Sequence, residues 1–302
     1  MENKMNDHPL VSIVTPSFNK GPYIKETLLS VRNQTYPNIE HIVIDGGSTD
    51  ETLSVLKKYS DDIFWISEPD KGQSDAINKG WKRANGEIIA YLNADDTYLP
   101  DAIATAVTYM KEHPDVGMVY GDGILTDETG KFLRNYRSGE FSMRDLIYCR
   151  DNILQPTVFF RKAVYERIGG IDESLHLAMD LDYWIRIGLL FRVAYISRPL
   201  ATAKIYKDAK SVALMHKYVS DYEHILEKVF ADPYLPPELT AEKKAVNNYV
   251  YVKGGLDYIH LNMGHEGLNY LWKAFQMNPF RCAANVLIIL GQFLCRKVRC
   301  SV

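Results

Sequence analysis

Residues Ile39 to Thr52 read IEHIVIDGGSTDET, and the way this stretch must fold decides the architecture of the chain. Glu40 to Asp45 has the pattern of a buried strand, because Ile42, Val43 and Ile44 leave it no solvent face. The strand stops at Gly46-Gly47-Ser48-Thr49-Asp50, where glycines permit a sharp turn. Ser48 or Thr49 is placed to cap a helix over Thr52 to Tyr59. On the N-terminal side, Leu10 to Thr15 is a short strand ended by Pro16, followed by an amphipathic helix over Tyr23 to Asn33. On the C-terminal side come a strand at Ile63 to Ser67, a helix at Ser74 to Ala84, a strand at Glu87 to Leu92 and a helix at Ala102 to His113. Apolar strands separated by helical crossovers predict an α/β fold with a parallel sheet covered on both faces. In such sheets ligands bind beyond the carboxyl ends of the strands. The polar residues fall there: Thr15 to Asn19, Asp45 to Asp50, Glu68 to Gln73 and Asn93 to Asp96.

Beyond Gly117 the pattern changes. Gly117 to Gly121, Ile124 to Asp127 and Phe132 to Tyr136 read as strands, the last two joined around Glu128-Thr129-Gly130. Pro156 to Phe160 and Val193 to Ile196 are further short strands, with an Asp-rich helix start at Met179 to Asp182 between them. From about Val212 the chain reads as helix, with a turn at Pro233 to Pro237 and one helical hairpin over Leu256 to Pro279. A single such unit is an extension rather than a repeat array.

The chain has 302 residues, 46% hydrophobic and 24% charged, with a net charge of −3. This balance fits a soluble globular protein, argues against disorder, and gives no electrostatic reason to expect nucleic acid as a partner. Four scattered cysteines without CxxC spacing argue against a disulfide scaffold or a structural zinc site, and fit reduced thiols in a cytoplasmic protein. The N-terminal MENKMNDHPL lacks the apolar core of a signal peptide, and no stretch is long and apolar enough to cross a membrane.

Asn93-Ala94-Asp95-Asp96 follows an apolar strand. Two adjacent carboxylates repel each other and favour a positive partner; a hard divalent cation carrying phosphates suits oxygen ligands of this kind. A plain polar loop before a helix is the competing reading, as it is for the Gly-Gly turn after Asp45. The segment Asp70-Lys71-Gly72-Gln73 with Asp75 adds a third polar strand end, and three such loops on one sheet edge make coincidence a poor account. The chain has no GxxxxGK[ST], GxGxxG, HExxH or GxSxG, which excludes P-loop hydrolases, dinucleotide enzymes, zincins and elbow hydrolases.

VSIVTPSFNK (Val11 to Lys20), IEHIVIDGGSTDET, EPDKGQSDAINKG (Glu68 to Gly80) and ANGEIIAYLNADD (Ala84 to Asp96) resemble the successive motifs of inverting family-2 glycosyltransferases. QPTVFFRKAVYERIGGIDESLHLAMDLDYWIRI (Gln155 to Ile187) resembles the acceptor-side motif of the same family. The resemblance covers about two thirds of the chain, in order. It implies a GT-A fold, with residues 1–211 as catalytic domain: a nucleotide-binding part near 9–121 and an acceptor part near 122–211. Residues 212–302 then form a helical extension. It implies sugar transfer from a nucleoside diphosphate donor, aided by a divalent cation such as Mn²⁺ or Mg²⁺. By position, Thr15, Pro16 and Asn19 line the nucleotide pocket, Asp45 accepts from a pyrimidine N3–H, and Asp70 with Lys71 flanks the base. A uridine nucleotide sugar is the donor this implies.

Asn93-Ala94-Asp95 occupies the place of the family's DxD, which makes Asp95 the expected metal ligand, with Asn93 bonding ribose or water and Asp75 and Asp96 in support. Asp180 matches the general base, with Trp184 and Arg186 on the helix behind it. Where relatives often carry Arg-x-His, this chain reads Lys204-Ile205-Tyr206; Lys204, Lys207 and Lys210 are placed to offset phosphate charge. Asp180 and Asp182 compete for the base role. Two residues apart on a helix, they point about 200° from each other, and Asp182 is spaced for an i,i+4 pair with Arg186. Chemistry therefore goes to Asp180 and support to Asp182.

Two other classes compete with this reading: a sugar-1-phosphate nucleotidyltransferase, which expects a Gly-rich basic loop after the first strand, and a silent nucleotide-sugar-binding protein. At Phe280 to Arg299, Arg281, Asn285, Gln292, Arg296 and Arg299 make a narrow polar stripe opposite an apolar face. That pattern suits either an anionic membrane surface or a helix packed in an oligomer or on the body. Surface docking would suit a glycan acceptor carried on a polyprenyl diphosphate, at the inner face of the cell membrane.

Overall fold

β1 (Val11–Ser17), β2 (Ile39–Asp45), β3 (Phe64–Ser67) and β4 (Ile88–Tyr91) pair in parallel in the order β3-β2-β1-β4. β1 and β4 are buried on both faces, as near-continuous apolar sequence requires. The crossovers are α1 (Gly21–Arg32), α2 (Thr52–Lys58) and α3 (Gln73–Arg83). The computed structural model describes residues 8–150, 153–206 and 218–299, without the side chains of 292–299. Lys207 and Lys210 lie outside the described residues, as does the helix start expected at Val212.

Past β4 the sheet becomes mixed. β5 (Thr97–Tyr98), α4 (Ala102–Glu112), β6 (Val116–Thr126) and β7 (Phe132–Tyr136) follow. After α5 (Met143–Ile147) come β8 (Phe159–Arg161), α6 (Lys162–Ile168), α7 (Met179–Leu190) and β9 (Arg192–Lys204). The sheet runs β3-β2-β1-β4-β8-β6-β9-β5, with β7 on β6. Its all-parallel character stops at β4, because β8 joins it antiparallel.

The two strands expected at Gly117 to Gly121 and Ile124 to Asp127 are one bent strand, β6, whose register against β9 shifts around Gly121 to Gly123. Gly121 and Gly123 sit at this irregularity. β9 is likewise far longer than its apolar core, and β1 runs through Pro16 to Ser17.

One face of the sheet packs Ile103, Ala106 and Met110 of α4 against Val11, Ile13, Ile88 and Ala90. An aromatic cluster holds α3 and α7: Trp81 lies 5.0 Å from Tyr183 and 5.1 Å from Phe160 between ring centroids. Edge contacts of this kind add to area burial and fix helix orientation.

The chain divides into two compact units. The first comprises Met1–Phe141, Asn152–Ser174 and Met179–Ala209, and holds the whole sheet. The second comprises Ser142–Asp151, Leu175–Ala178 and Lys210–Val302. In it follow α8 (Tyr218–Val229), α9 (Pro237–Thr240), α10 (Lys243–His260), α11 (Gly264–Met277) and α12 (Pro279–Arg299). α10 and α11 cross at Gly255 and Gly267: a Cβ on Gly267 would lie 2.6 Å from the Gly255 carbonyl oxygen. Asn285 is buried: it donates to Asn248 Oδ1 at 2.9 Å, and Asn248 donates to the Ala274 carbonyl at 2.7 Å. The polar stripe expected on α12 therefore turns inward at Asn285, because a buried amide satisfies the helix junction.

Candidate active site

The parallel strands bring their carboxyl ends to one edge, and the loops there grip one another. Asn19 follows β1 in the left-handed region, φ 50°. Its N–H donates to Ser48 Oγ at 2.7 Å and its Oδ1 accepts the Thr49 N–H at 2.9 Å. Ser48 and Thr49 thus tie loops together instead of capping α2; Asp50 accepts the Thr52 N–H at 3.0 Å and the Gly21 N–H at 3.0 Å. Burial pushes the Asp50 carboxyl up, but these bonds outweigh it and hold it below its ordinary range.

Asp45 is fully buried. Its Oδ2 accepts from the N–H groups of Gly47 and Ser48 at 3.1 and 2.9 Å and from Ser67 Oγ at 2.6 Å; Oδ1 accepts from Ser48 Oγ at 2.5 Å. The carboxylate expected to read a base is here turned into its own loop, which Gly47 closes at φ +83°. The nearest donors to a strand-end carboxylate are the N–H groups of the turn it starts. Thr15 and Pro16 are also buried, beneath the edge rather than lining it. Thr15 Oγ1 lies 2.9 Å from His41 Nε2, and burial pushes that imidazole down to about 3.

Asp70 accepts the Gly72 N–H at 2.8 Å and abuts Gly46, where a Cβ would sit 2.7 Å from Asp70 Oδ2. Lys71 is exposed; its N–H donates to Asp75 Oδ2 at 3.0 Å. That bond, with Lys79, lowers the Asp75 carboxyl and makes Asp75 a clamp on the first turn of α3. Gln73 then reaches the fourth loop, donating to Asn93 Oδ1 at 2.7 Å.

Asn93 is a junction: its amide donates to Asp96 Oδ2 at 3.1 Å and to Gln155 Oε1 at 3.0 Å. Gln155 in turn donates to the Tyr91 carbonyl at 2.9 Å. Asp96 is buried, accepts the Lys204 N–H at 3.1 Å, and has its carboxyl raised by burial and by the charge of Asp95. Asp95 stands outward. Its Oδ2 accepts from Lys20 Nζ at 2.7 Å and from the Tyr206 hydroxyl at 2.5 Å. Lys204 pairs with Glu26 at 2.5 Å rather than facing a phosphate site. Lys20, Gln73, Tyr91, Gln155 and Tyr206 are partners that sequence reasoning missed; a lone Lys or Tyr shows no spacing that reveals it.

On α7 the two aspartates have different surroundings. Asp182 is 2% exposed and pairs with Arg186 Nε at 2.8 Å. Arg186 is fixed further by the carbonyls of Ile168 and Gly170 at 3.0 and 2.8 Å. Trp184 is buried, its indole N–H without a hydrogen-bond partner among the described residues. Asp180 is half-buried in the first turn of α7, where the helix dipole favours a carboxylate. The Tyr91 hydroxyl donates to its Oδ1. Burial first, then the charge of Asp180, raises the Tyr91 phenol well above its ordinary value, so it stays a donor.

Among the described residues no three His, Cys, Asp or Glu side chains come together as a metal cluster. The chemistry of the ledge still fits a hard cation: Asp95 offers one partly exposed carboxylate beside the buried carboxyl of Asp96. Such an ion would take its other ligands from phosphate and water, with Lys20 giving way at Asp95.

The chain is similar to known proteins. The profile of Glycosyl transferase family 2 matches residues 12–169. The chain belongs to that family. An uncharacterized glycosyltransferase of Mycobacterium tuberculosis is 33% identical over 189 residues, covering 62% of this chain and 71% of that protein. A PGL/p-HBAD biosynthesis glycosyltransferase of Mycobacterium bovis is 31% identical over 184 residues, covering 59% and 69%. Among solved structures, S. aureus TarS 1-349 in complex with UDP-GlcNAc superposes with a TM-score of 0.69 at 21% identity, covering 92% of this chain and 84% of that one. A Pyrobaculum calidifontis mannosyltransferase with GDP-Man and Mn²⁺ gives 0.63 at 20% identity, covering 95% and 80%. The family-2 chain described here has the GT-A fold, with a helical C-terminal region.

Proposed function

We propose that this family-2 enzyme is an inverting, metal-dependent glycosyltransferase that moves a hexosyl or N-acetylhexosaminyl group from a UDP-sugar. The acceptor is a hydroxyl of a glycan, free or carried on a polyprenyl diphosphate. The catalytic part is residues 1–211, with 212–302 as extension. The observation that carries the reading is the contrast on α7: Asp182 is buried and paired with Arg186, while Asp180 is half-buried in the first turn of the helix and accepts from the Tyr91 hydroxyl.

Asp180 takes the proton of the acceptor hydroxyl as that oxygen bonds to the anomeric carbon. The bond from that carbon to the diphosphate oxygen breaks on the opposite face, which inverts the centre. A divalent cation at Asp95, when bound, stabilises the charge left on the diphosphate. Lys20 adds positive charge at the same ledge, and Asn19, Asp70 and Lys71 border the nucleotide. The nucleotide-sugar and Mn²⁺ complexes of the two structural neighbours support the donor class and the cation.

Incubation with UDP-, dTDP- and GDP-sugars and Mn²⁺ or Mg²⁺ tests this. Slow hydrolysis of a UDP-sugar, abolished by chelation, is the expected result. Pyrophosphate release from a nucleoside triphosphate and a sugar phosphate would instead make the protein a nucleotidyltransferase, and binding without turnover a silent one. Equal affinity for UDP and GDP by calorimetry would overturn the uridine assignment.

A further inference from the structure

The helical unit turns large apolar side chains outward. On α12, Cys282, Asn285 and Ile289 face the core formed with Tyr249, Val252 and Ala274. At about 100° per residue, Phe280 and Leu287 point the opposite way and Leu290 lies on the flank, and they are 86%, 73% and 45% exposed. On α11, Leu268, Trp272 and Phe275 repeat at helical spacing and are likewise exposed, with the Trp272 and Phe275 rings stacked 5.5 Å apart. A helix with apolar residues on its outer as well as its inner face needs cover for both.

Charge selects what covers them. From Gly267 to Val302 the sequence contains no Asp or Glu; Lys273 pairs with Glu223, and Arg281, Arg296, Lys297 and Arg299 remain, in a chain whose net charge is −3. A second copy would bring the same four positive charges against these four. An anionic lipid surface offers the opposite charge and an apolar layer beneath it. Among the described residues no helix is long and apolar enough to cross a membrane, so the geometry is that of lying in the interface.

We propose that the outer faces of α11 and α12 dock on an anionic bilayer, with Leu268, Trp272, Phe275, Phe280 and Leu287 entering the headgroup boundary. The inference stands on the helical unit alone and does not depend on the donor or on Asp180.

The full chain is mixed with vesicles of phosphatidylcholine, or of phosphatidylcholine with phosphatidylglycerol, and followed by sedimentation and tryptophan emission. The expected result is sedimentation with the anionic vesicles only, weakened by salt, with a blue shift from the exposed Trp272. Arg281→Gln should weaken binding about fivefold, and Leu287→Glu about 10- to 100-fold, each with an unchanged melting curve and unchanged sugar-nucleotide hydrolysis. Failure to sediment at millimolar anionic lipid would overturn the proposal, as would equal binding to neutral vesicles. So would a concentration-dependent dimer that Leu287→Glu dissociates, since it would assign the surface to a second copy.

Discussion

The loop after β2 and the loop after β4 look alike in sequence: each leaves a parallel strand and each carries two aspartates. They use them differently. After β2, Asp45 and Asp50 are saturated by N–H and hydroxyl donors of their own turn and of β1's loop. After β4, the partners of Asp95 among the described residues, Lys20 and Tyr206, come from far along the chain, and Asp96 accepts from Asn93 in its own loop and from the distant Lys204 N–H. Glycine explains part of the difference: Gly46 and Gly47 let the backbone fold back onto Asp45, whereas the second loop carries a buried Ala94 in that place. The two aspartates of α7 also differ, Asp182 buried against Arg186 and Asp180 half-buried and accepting from the Tyr91 hydroxyl.

The strongest way to break that contrast is at Asp180. Asp180→Asn keeps the shape and removes the proton acceptor, so transfer should fall by about two to four orders of magnitude. UDP affinity and the melting temperature should hold. Asp182→Asn should show the reverse, a lower melting temperature with a smaller loss of rate. Retention of most activity in Asp180→Asn would move the base elsewhere.

Next in size is the acid limb of stability. His41 beneath the first loop titrates near 3 in the folded chain because it is buried, against about 6.5 when unfolded. Between those values only the unfolded chain binds the proton, so stability falls as pH drops, by about 1.4 kcal/mol per unit. His41→Gln should remove that slope from urea unfolding measured between about pH 6 and 4. A variant with the wild-type slope would show that His41 is not held neutral.

Asp45→Ala leaves two N–H groups and two hydroxyls short of an acceptor and should cost about 3 kcal/mol. Nucleotide affinity should drop with it, through the loosened turn. Weaker UDP binding at an unchanged melting temperature would instead mean that Asp45 reads the base directly, and the contrast between the loops would fail.

The sheet and its crossovers were legible because apolar period and turn glycines are local signals. Asp182 with Arg186 was legible too, since i,i+4 spacing needs no tertiary knowledge. What escaped was long-range. Nothing near Tyr91 in sequence announces Asp180, 89 residues away, and nothing near Lys20 announces Asp95. Direction escaped as well. Thr15, Asp45 and Asn285 carry polar chemistry that the sequence shows, but whether it points to ligand or to core depends on neighbours that only the fold supplies.

The smallest effect, and the sharpest, is expected at Tyr91. This buried side chain has two possible uses: filling the space beside Trp81, from which its ring centroid lies 5.9 Å, or donating to Asp180. Phenylalanine preserves the first and removes the second. With the donor gone, the partly buried Asp180 carboxylate loses stabilisation and its proton affinity rises. The acid limb of kcat/KM should therefore move to higher pH, and kcat should fall about tenfold as the carboxylate loses its aim. The melting temperature should change little. Combined with Asp180→Asn, Tyr91→Phe should cost almost nothing further, because the group it serves is already gone. An unmoved pH profile in Tyr91→Phe would reduce the tyrosine to packing and leave Asp180 oriented by its helix alone.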